Sequence, residues 1–301
     1  MEFFKFGENK RFGRVRQEVL VVLEDKYQRW NKESKYDYLP FHNQLHTIGV
    51  ERRAVQIAEC IGFEDIELVR LCALFHDIVQ DYEVKQCGVF LKRSRKTGYN
   101  EKESFDVFIE YITQYYSEYF ERIDEIKSAF LATIPSFKQD QVLQKNLTPE
   151  SPLLARILAM ADLGSAGMES AEVFFSEGCV LFREGYLDLY GAGIDDFYDE
   201  FIRAMIGSMH NWLKGQISFI KSRKEIFEDD IKIFDDIIKG ELTKLFSNFD
   251  VNLKYIFGKK EEFESLTGNY QNQTGRDLKN TFEQALKFFG YRVLEGYVVP
   301  F

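Results

Sequence analysis

Apolar side chains recur with the period of an α-helix along most of this chain. One such segment runs from Val15 to Trp30, and two more run from Ala171 to Tyr190 and from Phe197 to Glu225. The glycines of Gly191 to Gly193 separate the last two segments, as expected of a turn. The alternation typical of a strand is confined to short segments such as Tyr291 to Val299. The pattern predicts an all-α fold.

Three further segments of helical period form an apolar stripe along one face of the predicted helix. Each stripe contains one polar residue, namely His46, His76 or Asp162. The apolar members of these stripes are, in order, Val50, Ala54, Ile57, Ala58 and Ile61; Val69, Cys72 and Ala73; and Leu154 and Leu158. Each polar residue is therefore expected to face the core. A buried imidazole or carboxylate is costly unless it is paired, hydrogen-bonded or bound to a metal ion.

Asp77 directly follows His76, so the three predicted helices together offer two imidazoles and two carboxylates. Imidazole suits Zn, Fe, Mn or Ni, and carboxylate oxygen widens the choice of cation. His46, His76, Asp77 and Asp162 are therefore candidate ligands of a divalent metal ion.

Four sequence strings occur in a recognisable order: FHNQLH at Phe41 to His46, ALFHDIVQDY at Ala73 to Tyr82, YNEKES at Tyr99 to Ser104, and ADLGSAG at Ala161 to Gly167. They resemble the HD superfamily of metal-dependent phosphohydrolases, and within it the predicted phosphohydrolases related to cyclic-nucleotide phosphodiesterases. The resemblance covers about Tyr38 to Phe227. It implies an all-α HD-domain helical bundle, placed at residues 1–227. Residues 228–301 alternate helical stretches with polar loops and are expected to form a C-terminal helical extension packed on the core, with a dimer contact or a wall of the substrate pocket as alternatives.

The resemblance also implies roles for individual residues. His46, His76, Asp77 and Asp162 would hold the metal ion, Asp77 or Asp162 could accept a proton from the attacking water, and His42 would protonate the leaving-group oxygen. The alternative for His42 is a helix-terminus histidine that only forms hydrogen bonds. Relatives with two metal ions supply further histidines, which the region from Tyr82 to Met160 lacks. One divalent ion is therefore expected, with Zn, Mn, Fe, Ni, Co and Mg left open.

Other polar residues near these strings admit two interpretations each. Glu101 could orient His42 or bind a metal-ligated water, or it could be a carboxylate favoured in the first turn of a helix. Asn43 could touch the substrate or tie down the helix of His46. The predicted loop from Gln80 to Asn100 carries Lys92, Arg93 and Arg95, which could clamp a substrate phosphate or simply be solvated. The helix predicted after this loop, Glu101 to Ile126, is rich in aromatic residues that suit core packing.

Composition narrows the classes of partner. The 301 residues are 45% hydrophobic and 29% charged, as in an ordinary globular protein, and carry a net charge of −10. That charge argues against polymeric nucleic acid and anionic membranes as partners. The four cysteines form no C-x-x-C pair, and no apolar run is long enough to cross a membrane. A cytoplasmic protein is expected, and homo-oligomers are left open.

The sequence therefore predicts a metal-dependent phosphohydrolase that acts on a small phosphorylated molecule, either a nucleotide or another phosphomonoester or phosphodiester, by means of a metal-activated water. The alternative is a non-catalytic HD module that binds a metal ion or a nucleotide for regulation or protein interaction. An iron-dependent oxygenase on the same scaffold is disfavoured, because the known pattern of that kind needs more histidines than this chain offers.

Overall fold

Helices dominate the computed structural model, which describes residues 10–28, 38–138, 141–144 and 146–299. The helices are α1 (Lys10–Leu23), α2 (Gln44–Ile61), α3 (Ile66–Phe75), α4 (Tyr99–Tyr115), α5 (Ile123–Ala132), α6 (Leu153–Asp162), α7 (Ser165–Met168), α8 (Ala171–Gly185), α9 (Asp199–Asp230), α10 (Asp236–Leu245), α11 (Phe249–Thr267) and α12 (Gly275–Phe288). The all-α fold class is confirmed. None of the described helices is long and apolar enough to cross a membrane.

The first predicted helix begins at Lys10, earlier than expected, and changes from an α-helix to a π-helix near its end. After α1, a π-helical turn follows at Glu24–Gln28, and the end of the predicted segment, residues 29 and 30, lies outside the described residues. The predicted helix from Glu101 to Ile126 is wrong as one element, because α4 ends at Tyr115 and Tyr116 leaves the helical conformation, with φ −143° and ψ 48°. A 3₁₀ segment at Ser117–Arg122 then leads into α5.

In the described part of the chain, short strands pair as three antiparallel hairpins: β1 (Tyr82–Cys87) with β2 (Phe90–Arg95), β3 (Pro135–Lys138) with β4 (Gln141–Gln144), and β5 (Arg292–Leu294) with β6 (Tyr297–Val299). The last hairpin confirms the strand pattern near the C-terminal end. The prediction of a loop over Gln80 to Asn100 is wrong, since β1 and β2 occupy most of it. Gly88, with a φ of +60°, allows the tight turn between them.

Two apolar clusters form the interior of the described structure. The larger one joins Val50 and Leu158 of the predicted stripes to Leu242 of α10 and Ile256 of α11. The second lies between α8, α9 and α12 and contains Phe182, Ile206 and Leu286. The C-terminal helices thus contribute to both clusters. The predicted division between residues 227 and 228 falls within α9 and stays a prediction.

Candidate metal centre

Helices α2, α3 and α6 place the four predicted ligands at one point. His46 lies in the first turn of α2, His76 directly follows α3, and Asp162 is the last residue of α6. The start of α2 is fixed by Asn43, whose Oδ1 accepts hydrogen bonds from the backbone N–H groups of Leu45 at 2.8 Å and His46 at 3.4 Å. The cap therefore determines where the His46 ring stands.

The ligand atoms of His46, His76, Asp77 and Asp162 all lie within 4.8 Å of one another. His46 Nε2 is 3.6 Å from Asp77 Oδ2 and 3.6 Å from Asp162 Oδ1. His76 Nε2 is 3.4 Å from Asp77 Oδ2 and 3.6 Å from Asp162 Oδ1. These separations exceed normal hydrogen-bond lengths. They match the roughly 3.4 Å between ligands held about 2.1 Å from one tetrahedral ion.

The hydrogen bonds of the two imidazoles point to the same conclusion. His76 Nδ1 lies 2.7 Å from the carbonyl oxygen of Ala73, which can only accept, so Nδ1 carries the proton and the lone pair of Nε2 faces the cluster. Within the described structure, His76 Nε2 and both ring nitrogens of His46 are buried without a hydrogen-bond partner. Buried ring nitrogens without a hydrogen-bond partner are suited to bind a metal ion. The contact of Nδ1 with the Ala73 carbonyl orients His76 as metal-bound histidines are usually oriented.

Electrostatic interactions within the cluster are strong. Burial lowers the pKa of His46, but Asp162 and Asp77 outweigh burial and raise that pKa to about 9. Burial would raise the pKa of Asp162, yet His46 and His76 hold it below its usual range. For Asp77, the effect of burial is overcome first by Arg95 and then by His76, and its pKa lies well below the usual range. Both carboxylates are therefore ionised at neutral pH, as metal ligands must be.

His42 lies at the edge of the cluster, between the carboxylates of Asp77 and Glu184. Its Nδ1 lies 2.5 Å from Glu184 Oε1, and its Nε2 is 4.0 Å from Asp77 Oδ2. Glu184 Oε2 also accepts the backbone N–H groups of Phe41 and His42, each at 2.9 Å, and Tyr82 donates its hydroxyl to Glu184 Oε1 at 2.8 Å. Burial would raise the pKa of Glu184, but His42 and these hydrogen bonds lower it to about 2.

Arg95 lies on the opposite side of Asp77. Its Nη2 donates to Asp77 Oδ1 and is 3.3 Å from Glu101 Oε1. The other oxygen of Glu101 accepts the N–H of Gly98 at 2.6 Å, which is the first-turn contact expected of a helix carboxylate. Glu101 thus contacts Arg95 and the start of α4, while the carboxylate that contacts His42 is Glu184.

The other cations of β2 and the Asn43 amide have structural partners. Arg93 is buried, donates to the carbonyl oxygen of Tyr38 at 2.9 Å and lies over the Tyr82 ring. Lys92 is exposed on the other face of the strand. Asn43 Nδ2 donates to the carbonyl oxygen of Pro40 at 2.6 Å, so both ends of this amide bind backbone. Of the predicted phosphate-binding cations, Arg95 is the one that the fold places against the cluster.

Comparison with known families agrees with this geometry. Residues 45–166 match the family described as HD domain. The chain contains an HD domain. The match confirms the resemblance to the superfamily of metal-dependent phosphohydrolases, and it spans all four candidate ligands. No curated protein and no solved structure matches this chain significantly.

The sequence predicted the four candidate ligands of the HD domain but did not indicate two residues that contact His42, namely Glu184 and Tyr82. Glu184 lies beyond the matched segment, 142 residues from His42, and Tyr82 lies within it as the first residue of β1. Helical period gave no signal for Glu184, because it lies outside the stripe of Phe174, Gly178 and Phe182 on α8. Tyr82 gave no signal either, because it lies in the segment Gln80 to Asn100 that the sequence predicts to be a loop.

Proposed function

We propose that this protein is a metal-dependent phosphohydrolase that acts on a small phosphorylated molecule, either a nucleotide or another phosphomonoester or phosphodiester. The observation that carries the proposal is the pair of buried Nε2 atoms of His46 and His76, which have no hydrogen-bond partner among the described residues and lie 3.4 to 3.6 Å from oxygens of the ionised Asp77 and Asp162. Buried polar groups of this kind are stable in a protein interior when a cation binds to them. Membership of the HD superfamily supports the same conclusion.

His46, His76, Asp77 and Asp162 would hold one divalent ion. When bound, the ion lowers the pKa of a coordinated water and neutralises charge on the phosphoryl oxygens. The cluster carboxylates are the bases within reach of such a water, and Asp162 is the more exposed of the two, at 13% against 4% for Asp77. We therefore assign the acceptance of the water proton to Asp162, with Asp77 as the ligand fixed by Arg95.

His42 would deliver the proton to the leaving group. Its Nδ1–H is directed at the ionised Glu184, which fixes the ring and leaves Nε2 facing the cluster. Tyr82 steadies Glu184 from the side. Arg95 adds a permanent positive charge next to the cluster, where a phosphate ester would bind. The net charge of −10 favours a small substrate over polymeric nucleic acid.

Metal analysis is the first test. Wild-type protein purified without chelator should contain about one equivalent of a divalent metal ion, and the Asp77→Ala variant should contain far less, because a ligand is lost. Asp81→Ala is the matched control, since Asp81 is a nearby carboxylate that pairs with Lys96 at the surface. The metal identified is then used to screen nucleotides and nitrophenyl phosphates for phosphate release.

Two results would contradict the proposal in different ways. Absence of metal from the wild type, even after reconstitution with Mn²⁺, Zn²⁺, Fe²⁺, Ni²⁺, Co²⁺ and Mg²⁺, would remove the metal centre itself. Metal that is bound by the wild type and lost in Asp77→Ala, without release of phosphate from any substrate class, would favour the non-catalytic module that senses a metal ion or a nucleotide.

A further inference from the structure

The two carboxylate oxygens of Asp77 face two different positive positions. Oδ2 lies 3.4 Å from His76 Nε2 and 3.6 Å from His46 Nε2, on the side of the candidate metal ion. Oδ1 accepts a hydrogen bond from Arg95 Nη2 on the other side. A carboxylate used in this way is a bridge between two cation positions, and in this chain one of those positions is filled by a guanidinium.

Glu101 also contacts the Arg95 guanidinium. Its side chain is fully buried, and its Oε1, 3.3 Å from Arg95 Nη2, has no hydrogen bond within the described residues. Two carboxylate oxygens, Asp77 Oδ1 and Glu101 Oε1, therefore converge on one buried position. A buried pair of like charges is stable only if a positive charge lies between them.

Arg95 is suited to provide that charge permanently. A guanidinium does not lose its proton in proteins, and it presents several N–H donors in one plane. The hairpin of β1 and β2 holds it in place, with Arg95 paired to Tyr82 at the end of the ladder. The side chain is 17% exposed, so the position also adjoins the open side of the site.

We propose that Arg95 is a built-in second cation: its guanidinium takes the place between Asp77 and Glu101 that a second metal ion would need, and it thereby limits the centre to one ion. This inference rests on the proposed metal centre. It assigns Arg95 and Glu101 a role in setting the metal stoichiometry, in addition to any contact of Arg95 with a substrate phosphate.

Titration with Mn²⁺ tests the inference without reference to turnover. The full-length wild type should bind one equivalent at saturation, measured by equilibrium dialysis with elemental analysis. Arg95→Ala should bind two, because the two carboxylate oxygens are left to a divalent ion. The two Mn²⁺ ions, bridged by Asp77, should also broaden the electron paramagnetic resonance signal through spin coupling. Arg95→Ala combined with Glu101→Gln should return to one equivalent.

Two further variants keep the test decisive. Lys92→Ala removes a cation from the other face of the same strand and should stay at one equivalent. Arg95→His places an imidazole, itself a metal ligand, in the vacated position and should bind two equivalents even if Arg95→Ala fails to fold.

Each contrary result has its own meaning. One equivalent in both folded Arg95 variants, or two in the wild type, would overturn the role of Arg95 and leave the metal centre standing. No bound Mn²⁺ in the wild type, together with no other bound metal, would overturn the metal centre and this inference with it.

Discussion

On one side of Asp77, His76 Nε2 and both ring nitrogens of His46 have no hydrogen-bond partner among the described residues, whereas on the other side Arg95 and Glu101 are held in ion pairs. Both sides are buried, and both need positive charge near a carboxylate. The first side lacks a fixed cation of its own and suits an exchangeable one; the second side is already completed by the protein. An unsatisfied buried polar group costs about 1–3 kcal/mol, so the imidazole side gains most from binding an ion. On the other side, the ion pair with Arg95 already offsets the charge of Glu101.

The largest effect should come from removing a ligand on the side that lacks its own cation. His46→Ala is expected to lower metal affinity by more than about 100-fold, the upper end of what the loss of a histidine's supporting partner costs. Phosphate release should be lost with the metal ion. Competition with a fluorescent chelator measures the affinity.

His42→Ala is the matched control, because His42 lies one helical turn earlier and outside the four candidate ligands. It should keep the metal ion while kcat falls by about 10²- to 10⁴-fold, the usual contribution of a general acid. Equal metal loss in both histidine variants would contradict the separation between ligand and acid that the geometry supports.

An intermediate effect is expected from the residue that holds His42. Glu184→Gln keeps the size of the side chain but removes the charge that faces Nδ1. We expect kcat to fall by roughly 10- to 100-fold, the range typical of lost partners of functional histidines, with KM and metal content little changed. A rise in KM alone would instead indicate that Glu184 shapes the substrate pocket.

The same variant tests the pH dependence of stability. The pKa of Glu184 is about 2 in the folded chain against an ordinary value of 4.5, chiefly because His42 and its hydrogen bonds outweigh burial. The ionised carboxylate therefore stabilises the fold above pH 4.5, and this contribution is lost as the pH falls toward 2. Urea unfolding should show the wild type losing about 3 kcal/mol more than Glu184→Gln across that window. If the free energy of unfolding changed equally with pH in both proteins, the stabilising interaction between Glu184 and His42 would be excluded.

The candidate metal ligands and the carboxylate that contacts His42 differ in what the sequence could predict. His46, His76 and Asp162 interrupt apolar stripes, so helical period alone places them in the core. Glu184 has no such signal. It is buried because the end of α8 lies against Phe41 and His42, a contact between segments 142 residues apart that no local pattern encodes.

Arg95 illustrates the second limit. Treating residues 80–100 as a loop made Lys92, Arg93 and Arg95 equivalent, whereas a strand sends alternate side chains to opposite faces. Arg93 and Arg95 therefore share the face that contacts Tyr38 and Asp77, and Lys92 lies on the other face, with its Nζ 5.7 Å from the centroid of the Tyr186 ring. The strand sequence FLKRSR has no apolar–polar alternation that would predict these faces, and the pairing of Arg95 with Asp77 and Glu101 depends on where the hairpin docks.

The smallest effect should come from Lys92, and the buried Arg93 next to it on the strand provides the comparison. Lys92→Ala should change stability by less than about 0.5 kcal/mol and phosphate release by less than about twofold, because the side chain is exposed. Arg93→Ala should lose about 1–3 kcal/mol in urea unfolding, because the buried carbonyl of Tyr38 loses its donor. A rise in KM of more than about tenfold in Lys92→Ala would show that the substrate phosphate reaches the outer face of β2, and the charge beside Asp77 would then not be the one that positions the substrate.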